Sequence, residues 1–300
     1  MNLPTIRQLQ YLVAVVELRH FGQAAERCFV TQSTLSAGIQ ELESLLGASL
    51  IERSKRKVLP TPLGLEIADK ALQLLGLAGE ISEMARHQGE SMTGTLRLGV
   101  IPTIGPFLLP RVLPGIRRAF PGLELKLVED QSPRLLQRLE RGTLDTAILA
   151  FPYPTGELER RIFWKENFLV ALPCDHSLAK RDQLATCDLP NEELLLLEEG
   201  HCLTDHALTA CHLEGLKSRA AFEGTSLYTL LQMVAGGQGI TFLPQMAATS
   251  ELLPPDEIKL VPLSEPGPHR QIGLVWRKTF FRKNDLQILS ETMENLLGKN

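Results

Sequence analysis

Three helical apolar patterns crowd into the stretch from Thr5 to Gly47, only a few residues apart, which confines the start of the chain to a small three-helix module. The first opens with the capping-box spacing Thr5…Gln8 and repeats Leu9, Leu12, Val13 and Val16. The second runs from Gln23 to Cys28, where small Ala24 and Ala25 suit close helix packing. After a turn at Phe29-Val30, Thr31 reads as the N-cap of a third helix bearing Leu35, Ile39, Leu42, Leu45 and Leu46 and ended by Gly47. Two helices across a tight turn form a helix-turn-helix layout. Polar Thr31, Gln32, Ser33, Thr34 and Ser36 open its second helix and suit base edges in a major groove. Ser49–Glu52 and Val58–Pro60 flank Arg53-Ser54-Lys55-Arg56-Lys57, a two-stranded wing whose basic tip, Lys55, Arg56 and Lys57, faces phosphate. The same spacing also suits a packing module with a solvated charge run.

Net charge sharpens this only slightly. The chain carries −4 overall, and residues 1–90 hold nine Lys/Arg against ten Asp/Glu, which argues against coating nucleic acid but leaves local binding open. No apolar run reaches the roughly 18 residues of a membrane span, and the N-terminus lacks a signal-peptide pattern, so a cytoplasmic protein is expected. Five cysteines, at 28, 174, 187, 202 and 211, are then packing, metal-binding or redox groups and not a disulfide framework.

Thr61-Pro62 starts a further helix, with Ile67, Ala71, Leu74, Ala78, Ile81 and Ala85 forming a heptad seam widened by Ala68, Leu72 and Leu75. A helix lying on its own domain would show the same stripe. Gln88–Gly94 reads as a hinge. From Thr95 strand and helix alternate. Strands are predicted at 96–100, 123–129, 145–151, 168–172, 194–197, 240–243 and 272–276. Helices are predicted as a Pro-broken segment through Arg118, one capped by Ser132-Pro133, and others near 204–215, 226–236 and 284–297. That pattern means α/β architecture with largely parallel sheets, long enough for two subdomains.

Most enzyme signatures are missing: there is no phosphate loop, no GxSxG elbow and no paired CxxC, and Gly236-Gly237-Gln238-Gly239 reads as a tight turn. No metal site and no cofactor are expected. What remains is Glu198-Glu199-Gly200-His201-Cys202-Leu203-Thr204-Asp205, between the apolar run Leu194–Leu197 and a helix, with Cys211 nine residues beyond Cys202. A cysteine at a helix N-terminus favours its thiolate, and a second thiol nearby can resolve it. Two ordinary buried cysteines fit the spacing as well. A helix over 203–211 would set the two Cα atoms roughly 13 Å apart, beyond the ~7 Å a disulfide tolerates, so pairing would require unwinding.

The residues Phe21–Glu26, Thr31–Ser36, Ile39–Glu43, Leu46-Gly47 and Glu52-Arg53 together resemble the N-terminal domain of LysR-type transcriptional regulators. The resemblance implies a winged helix-turn-helix over 1–60, a dimerising linker helix over 61–90 and an effector domain over 91–300. The last is similar to a two-subdomain periplasmic-binding-protein fold, with subdomain I at about 95–166 and 268–300 and subdomain II at about 167–267. Within the family, Leu195–Leu203, Asp205, Ala207 and Cys211, with Ile101–Pro106 and Ile272–Val275, resemble the hydrogen-peroxide-sensing members. That resemblance implies that Cys202 is the peroxidatic and Cys211 the resolving cysteine, with Thr103, Ser132, His201, Asp205 and Arg270 around the peroxide. It implies an activator, not an enzyme, that binds operator DNA as a homodimer assembling to a homotetramer and recruits RNA polymerase. His201 also suits loop packing, Asp205 a helix cap and Arg270 a surface ion pair. A LysR-type regulator of a small organic effector and a turning-over thiol peroxidase are the competing readings.

Overall fold

The computed structural model describes residues 3–53, 57–87, 90–190, 194–198, 202–203, 206, 226–250, 253 and 256–298. The chain divides into two units, Met1–Gln88 with Glu140–Thr143, and Gly89–Leu139 with Leu144–Asn300.

In the first unit, α1 (Ile6–Leu18) begins with the reciprocal Thr5–Gln8 capping box. His20 caps α2 (Phe21–Arg27), and Thr31 caps α3 (Gln32–Leu46), which ends at Gly47 with φ 67°. Leu12, Val15, Ala24, Ala25, Leu35, Ile39 and Leu42 form the core. The wing strands β1 (Ile51–Arg53) and β2 (Val58–Pro60) pair antiparallel. Thr61 caps α4 (Pro62–His87), accepting from the Gly64 amide at 2.9 Å. A Cβ at Gly64 would lie 2.1 Å from the Leu50 carbonyl oxygen. Gly64→Ala is therefore expected to cost about 1–3 kcal/mol through overpacking; a thermal melt unchanged by the substitution would contradict this close approach.

The α4 seam differs from the sequence expectation. Ala71 is buried against Leu9 and Val13 of α1, with Leu72 and Leu75 beside it. The apolar stripe left open is Leu74, Leu77, Ile81 and Met84, each 48–68% exposed. It keeps heptad spacing but passes through large Leu77 and Met84 in place of Ala78 and Ala85.

In the second unit, β3 (Gly94–Val100), β4 (Leu123–Glu129), β5 (Thr146–Phe151), β6 (Glu159–Glu166) and β10 (Arg270–Trp276) form a sheet ordered β4-β3-β5-β10-β6. A smaller sheet is ordered β8-β7-β9, from β7 (Phe168–Pro173), β8 (Thr241–Pro244) and β9 (Ile258–Pro262). Only β3–β4 and β3–β5 are parallel among the described ladders of this unit; β10 is antiparallel to β5 and β6, and β7 to β8 and β9. This corrects the expectation of largely parallel sheets. The chain leaves the larger sheet after Glu166 and re-enters at Arg270, so the returning strand runs against its neighbours.

Three further expectations change. Helix α5 (Gly105–Ala119) runs unbroken through Pro110 and Pro114. Both prolines are exposed, so water can satisfy the carbonyls they free. Ser132 is not a cap but the first residue of α6 (Ser132–Glu140). Leu194–Leu197 is not a continuous strand: Leu194 bridges Ile240, and Leu197 is a second isolated bridge residue. Helices α7 (Leu227–Ala235) and α8 (Lys283–Leu297) complete the described elements. The glycine-rich turn after α7 is tight, with Gly237 at φ 72°.

Glu265 anchors the turn at 186–188, where its Oε1 accepts the Thr186 amide at 2.7 Å and hydroxyl at 2.5 Å. Burial pushes this carboxyl up, but the Thr186 hydrogen bonds and the His269 charge outweigh it and hold its pKa below the usual glutamate value of 4.5. A depressed folded-state pKa gives stability that is complete above the unfolded value and lost as pH falls through the folded one. Glu265→Gln should therefore flatten the acid-unfolding arm below about pH 4.5. An unaltered arm in an acid titration would contradict the anchor.

Candidate functional site

The first candidate surface is the start of α3. Thr31 Oγ1 accepts the Thr34 amide at 3.2 Å and lies 2.8 Å from the Thr34 hydroxyl and 2.9 Å from the Ser33 hydroxyl. Packing of Leu35, Gly38, Ile39 and Leu42 into the core leaves Thr31, Gln32, Ser33 and Thr34 exposed, with Ser36 half-buried. The wing is tied to this helix by Glu43, whose Oε1 accepts the amides of Leu50 at 2.8 Å and Ile51 at 3.1 Å. Thr61 adds a hydroxyl bond to the Ser49 carbonyl at 3.0 Å. Arg53 ends β1 and exposed Lys57 precedes β2; Lys55 and Arg56 lie outside the described residues. Neither local spacing nor charge in the sequence marks Glu43 and Thr61 as partners of the wing.

The second candidate site is at the carboxyl ends of the parallel strands, where α/β sheets bind ligands. Thr103 follows β3 by three residues and Ser132 follows β4 by three, and the strand ends Val100 and Glu129 are register partners. Thr103, in the loop after β3, and Ser132, at the start of α6, thus follow neighbouring strand ends, and both are buried. Arg270 starts β10, which runs against β5, so it enters at the same edge; its Nη2 donates to the Thr103 carbonyl at 3.2 Å. Arg270 is no surface residue: it is the largest fully buried side chain among the described residues.

Cys202 is 3% exposed and helical in backbone. Contacts on either side bring its segment to this edge. Four residues before it, Glu198 Oε1 accepts from Gln131 Nε2 at 3.3 Å, and Gln131 immediately precedes Ser132. Four residues after it, His206 Nε2 donates to the Pro152 carbonyl at 2.6 Å, just beyond the end of β5. His201, Asp205 and Cys211, and nearly all of the expected 204–215 helix, lie outside the described residues.

The other thiols are placed differently. Cys28 is half-buried, and burial pushes its pKa up, with Arg27 opposing it more weakly. Cys174 and Cys187 are exposed, and two short 3-10 turns, Ser177–Lys180 and Thr186–Asp188, lie along the segment that carries them. The Cys174 amide bonds to the Glu257 carbonyl, whereas Leu184 bridges Leu263 and Thr186 bonds Glu265. The two cysteines therefore sit toward opposite ends of β9. No group of His, Cys, Asp and Glu among the described residues is arranged to hold a metal ion. No described helix is long and apolar enough to cross a membrane.

Residues 6–65 match the family described as bacterial regulatory helix-turn-helix protein, lysR family, and residues 89–297 match the LysR substrate binding domain. The chain is 45% identical over 272 residues to the hydrogen peroxide-inducible genes activator of Dickeya chrysanthemi, covering 91% of this chain and 89% of that protein. Full-length OxyR from Pseudomonas aeruginosa, in a cysteine-to-aspartate form, superposes with TM-score 0.79 at 35% identity over 98% of this chain and 95% of that one. OxyR from Corynebacterium glutamicum, a cysteine-to-serine mutant bound to hydrogen peroxide, gives 0.66 at 33% identity over 99% and 93%. With a helix-turn-helix and wing ahead of a two-sheet regulatory part, each matched over its length, the chain belongs to the LysR family of bacterial transcriptional regulators.

Proposed function

We propose that the chain is a cytoplasmic transcriptional activator that senses hydrogen peroxide through Cys202. The observation that carries this reading is the bracketing of Cys202 by the Glu198–Gln131 and His206–Pro152 contacts, at the strand edge that gathers Thr103, Ser132 and Arg270. The names of its relatives point the same way. The Cys202 thiolate attacks one peroxide oxygen, an S–O bond forms, the O–O bond breaks and hydroxide leaves. The Cys211 thiol then attacks the sulfenic sulfur, giving the disulfide and water. His201 and Asp205 complete the pocket. The domain division is at 60 and 90, with the chain crossing between subdomains near 165–168 and returning near 264–269. The exposed Leu74, Leu77, Ile81 and Met84 stripe pairs two copies of the chain, dimers assemble to tetramers on operator DNA, and oxidation lets them recruit RNA polymerase.

DNA enters through α3 and the wing. Replacing Lys55, Arg56 and Lys57 with Ala should weaken binding to all sequences and reduce the salt slope by up to about 3, roughly one per lost phosphate contact. Gln32→Ala should instead relax discrimination at particular base pairs. Binding isotherms across a salt series test both, and a triple variant with the parental slope removes the wing from the interface. The function as a whole is tested by footprinting promoter DNA with reduced chain and after one equivalent of peroxide. A changed protected span is expected, and identical footprints would overturn peroxide control.

A further inference from the structure

Glu166 is the last residue of β6 and Arg270 the first of β10, and they are register partners. Their side chains are 1% and 0% exposed. Glu166 Oε1 accepts from Arg270 Nε at 2.7 Å and forms an ion pair with Nη2 at 2.7 Å. Its Oε2 accepts the Met246 amide at 2.6 Å, in the 3-10 turn Gln245–Thr249 that follows β8. The face of the guanidinium packs over Phe168, 5.7 Å from the ring centroid. Held on three sides, Arg270 keeps one group uncommitted: Nη1 is buried with no hydrogen-bond partner, and so is the hydroxyl of Thr103, whose carbonyl Nη2 already holds. Unmet buried donors are costly, and their pairing in one place marks a small polar ligand with an oxygen to offer.

The carboxylate also reaches the thiol's side of the site. Just ahead of Met246, β8 starts at Thr241, whose hydroxyl donates to the Leu195 carbonyl at 2.8 Å. The Leu195 amide donates to the Ile240 carbonyl at 2.8 Å, and Leu194–Glu198 leads to Cys202. One buried carboxylate therefore joins the guanidinium to the strand that supports the cysteine segment.

We propose that Glu166 is a positioning residue for the peroxide reaction. It orients Arg270 so that Nη1, with the Thr103 hydroxyl, donates to the oxygen that departs, and it cancels the Arg270 charge so that the site favours a neutral peroxide over a resident anion. This rests on the reading of Cys202 as the peroxide-reactive thiol. In the step concerned, sulfur loses two electrons and becomes S–OH, while the far peroxide oxygen takes the O–O electron pair, leaves as hydroxide and is protonated by solvent. A donor on that oxygen lowers the barrier, because the hydrogen bond strengthens as charge develops.

The test uses the full chain carrying Cys211→Ser, so that oxidation stops at the sulfenic acid. Cys202 is reacted with hydrogen peroxide and, separately, with iodoacetamide, which releases no hydroxide. Glu166→Gln should slow the peroxide reaction at least tenfold without slowing alkylation, because the unbalanced Arg270 charge favours the thiolate. Glu166→Asp keeps the charge and secures folding, but it is one methylene too short to reach both Met246 and Arg270. It should give a smaller loss with the same split between the two reagents. Parental peroxide rates in both variants, or equal slowing with both reagents, would overturn the positioning role. If Cys202 of the chain with Glu166 intact reacts with peroxide no faster than a free thiol, the underlying reading fails first, and the proposal with it.

Discussion

Cys202→Ser is expected to abolish the response to hydrogen peroxide while the fold and DNA binding persist. Only a thiolate displaces hydroxide from peroxide at neutral pH, and the serine hydroxyl has no comparable ionised form. The substitution is nearly isosteric at a site 3% exposed, so its structural cost is that of a buried hydroxyl, about 1–3 kcal/mol. Promoter-driven transcription with and without peroxide should therefore show complete loss of induction at unchanged operator affinity. Cys211→Ser should differ: Cys202 is still consumed by peroxide, but no disulfide forms. A Cys202→Ser variant that still activates under peroxide would exclude this thiol as the sensor.

Arg270→Ala should have the largest effect on stability. It leaves the Glu166 carboxylate buried without its partner and opens a void beside Phe168. Breaking a buried ion pair from one side costs about 3–5 kcal/mol. At about 2–4 °C per kcal/mol for a domain of this size, the melting temperature should fall by about 10 °C. Replacing both partners together, as Arg270→Met with Glu166→Met, should restore much of that loss, because no uncompensated charge remains. A drop in peroxide sensitivity in Arg270→Ala is then read only after correction for unfolding. An Arg270→Ala melt within a degree of the parent would show that the pair contributes little to the fold.

Local signals in the sequence carried the helix-turn-helix almost to its boundaries. Thr5, Thr31, Thr61 and Gly47 act on backbone groups within a few residues of themselves, so their roles are visible in spacing alone. Strand β4 was equally legible as a short apolar-alternating run. Strand β6 was not, because Glu159-Arg160-Arg161 and Lys165 place charges at a sheet edge, where solvent and surface ion pairs accept them, while Glu166 is a charge buried against a partner distant in sequence. Leu194–Leu197 erred in the other direction: its apolar run reflects burial, but its pairing amounts to isolated bridges and not a continuous strand. The α4 seam was misplaced because Ala71 fits either a coiled-coil core or a contact with α1, and only packing chooses. In the candidate site, Thr103, Ser132 and Arg270, which the sequence offered, fall at one strand edge, while Glu166 was not legible. Its partner lies 104 positions away, and no local pattern marks such a pair.

Which thiols react with peroxide decides whether Cys202 is the sensor. Reduced full-length chain is treated with one equivalent of hydrogen peroxide, alkylated, digested without reductant and mapped by mass spectrometry. Exposure alone favours Cys174 and Cys187, which makes the outcome discriminating. The prediction is a single Cys202–Cys211 cross-linked peptide pair, with Cys28, Cys174 and Cys187 recovered alkylated. Recovery of alkylated Cys202 after peroxide, or oxidation confined to Cys174 and Cys187, would contradict it.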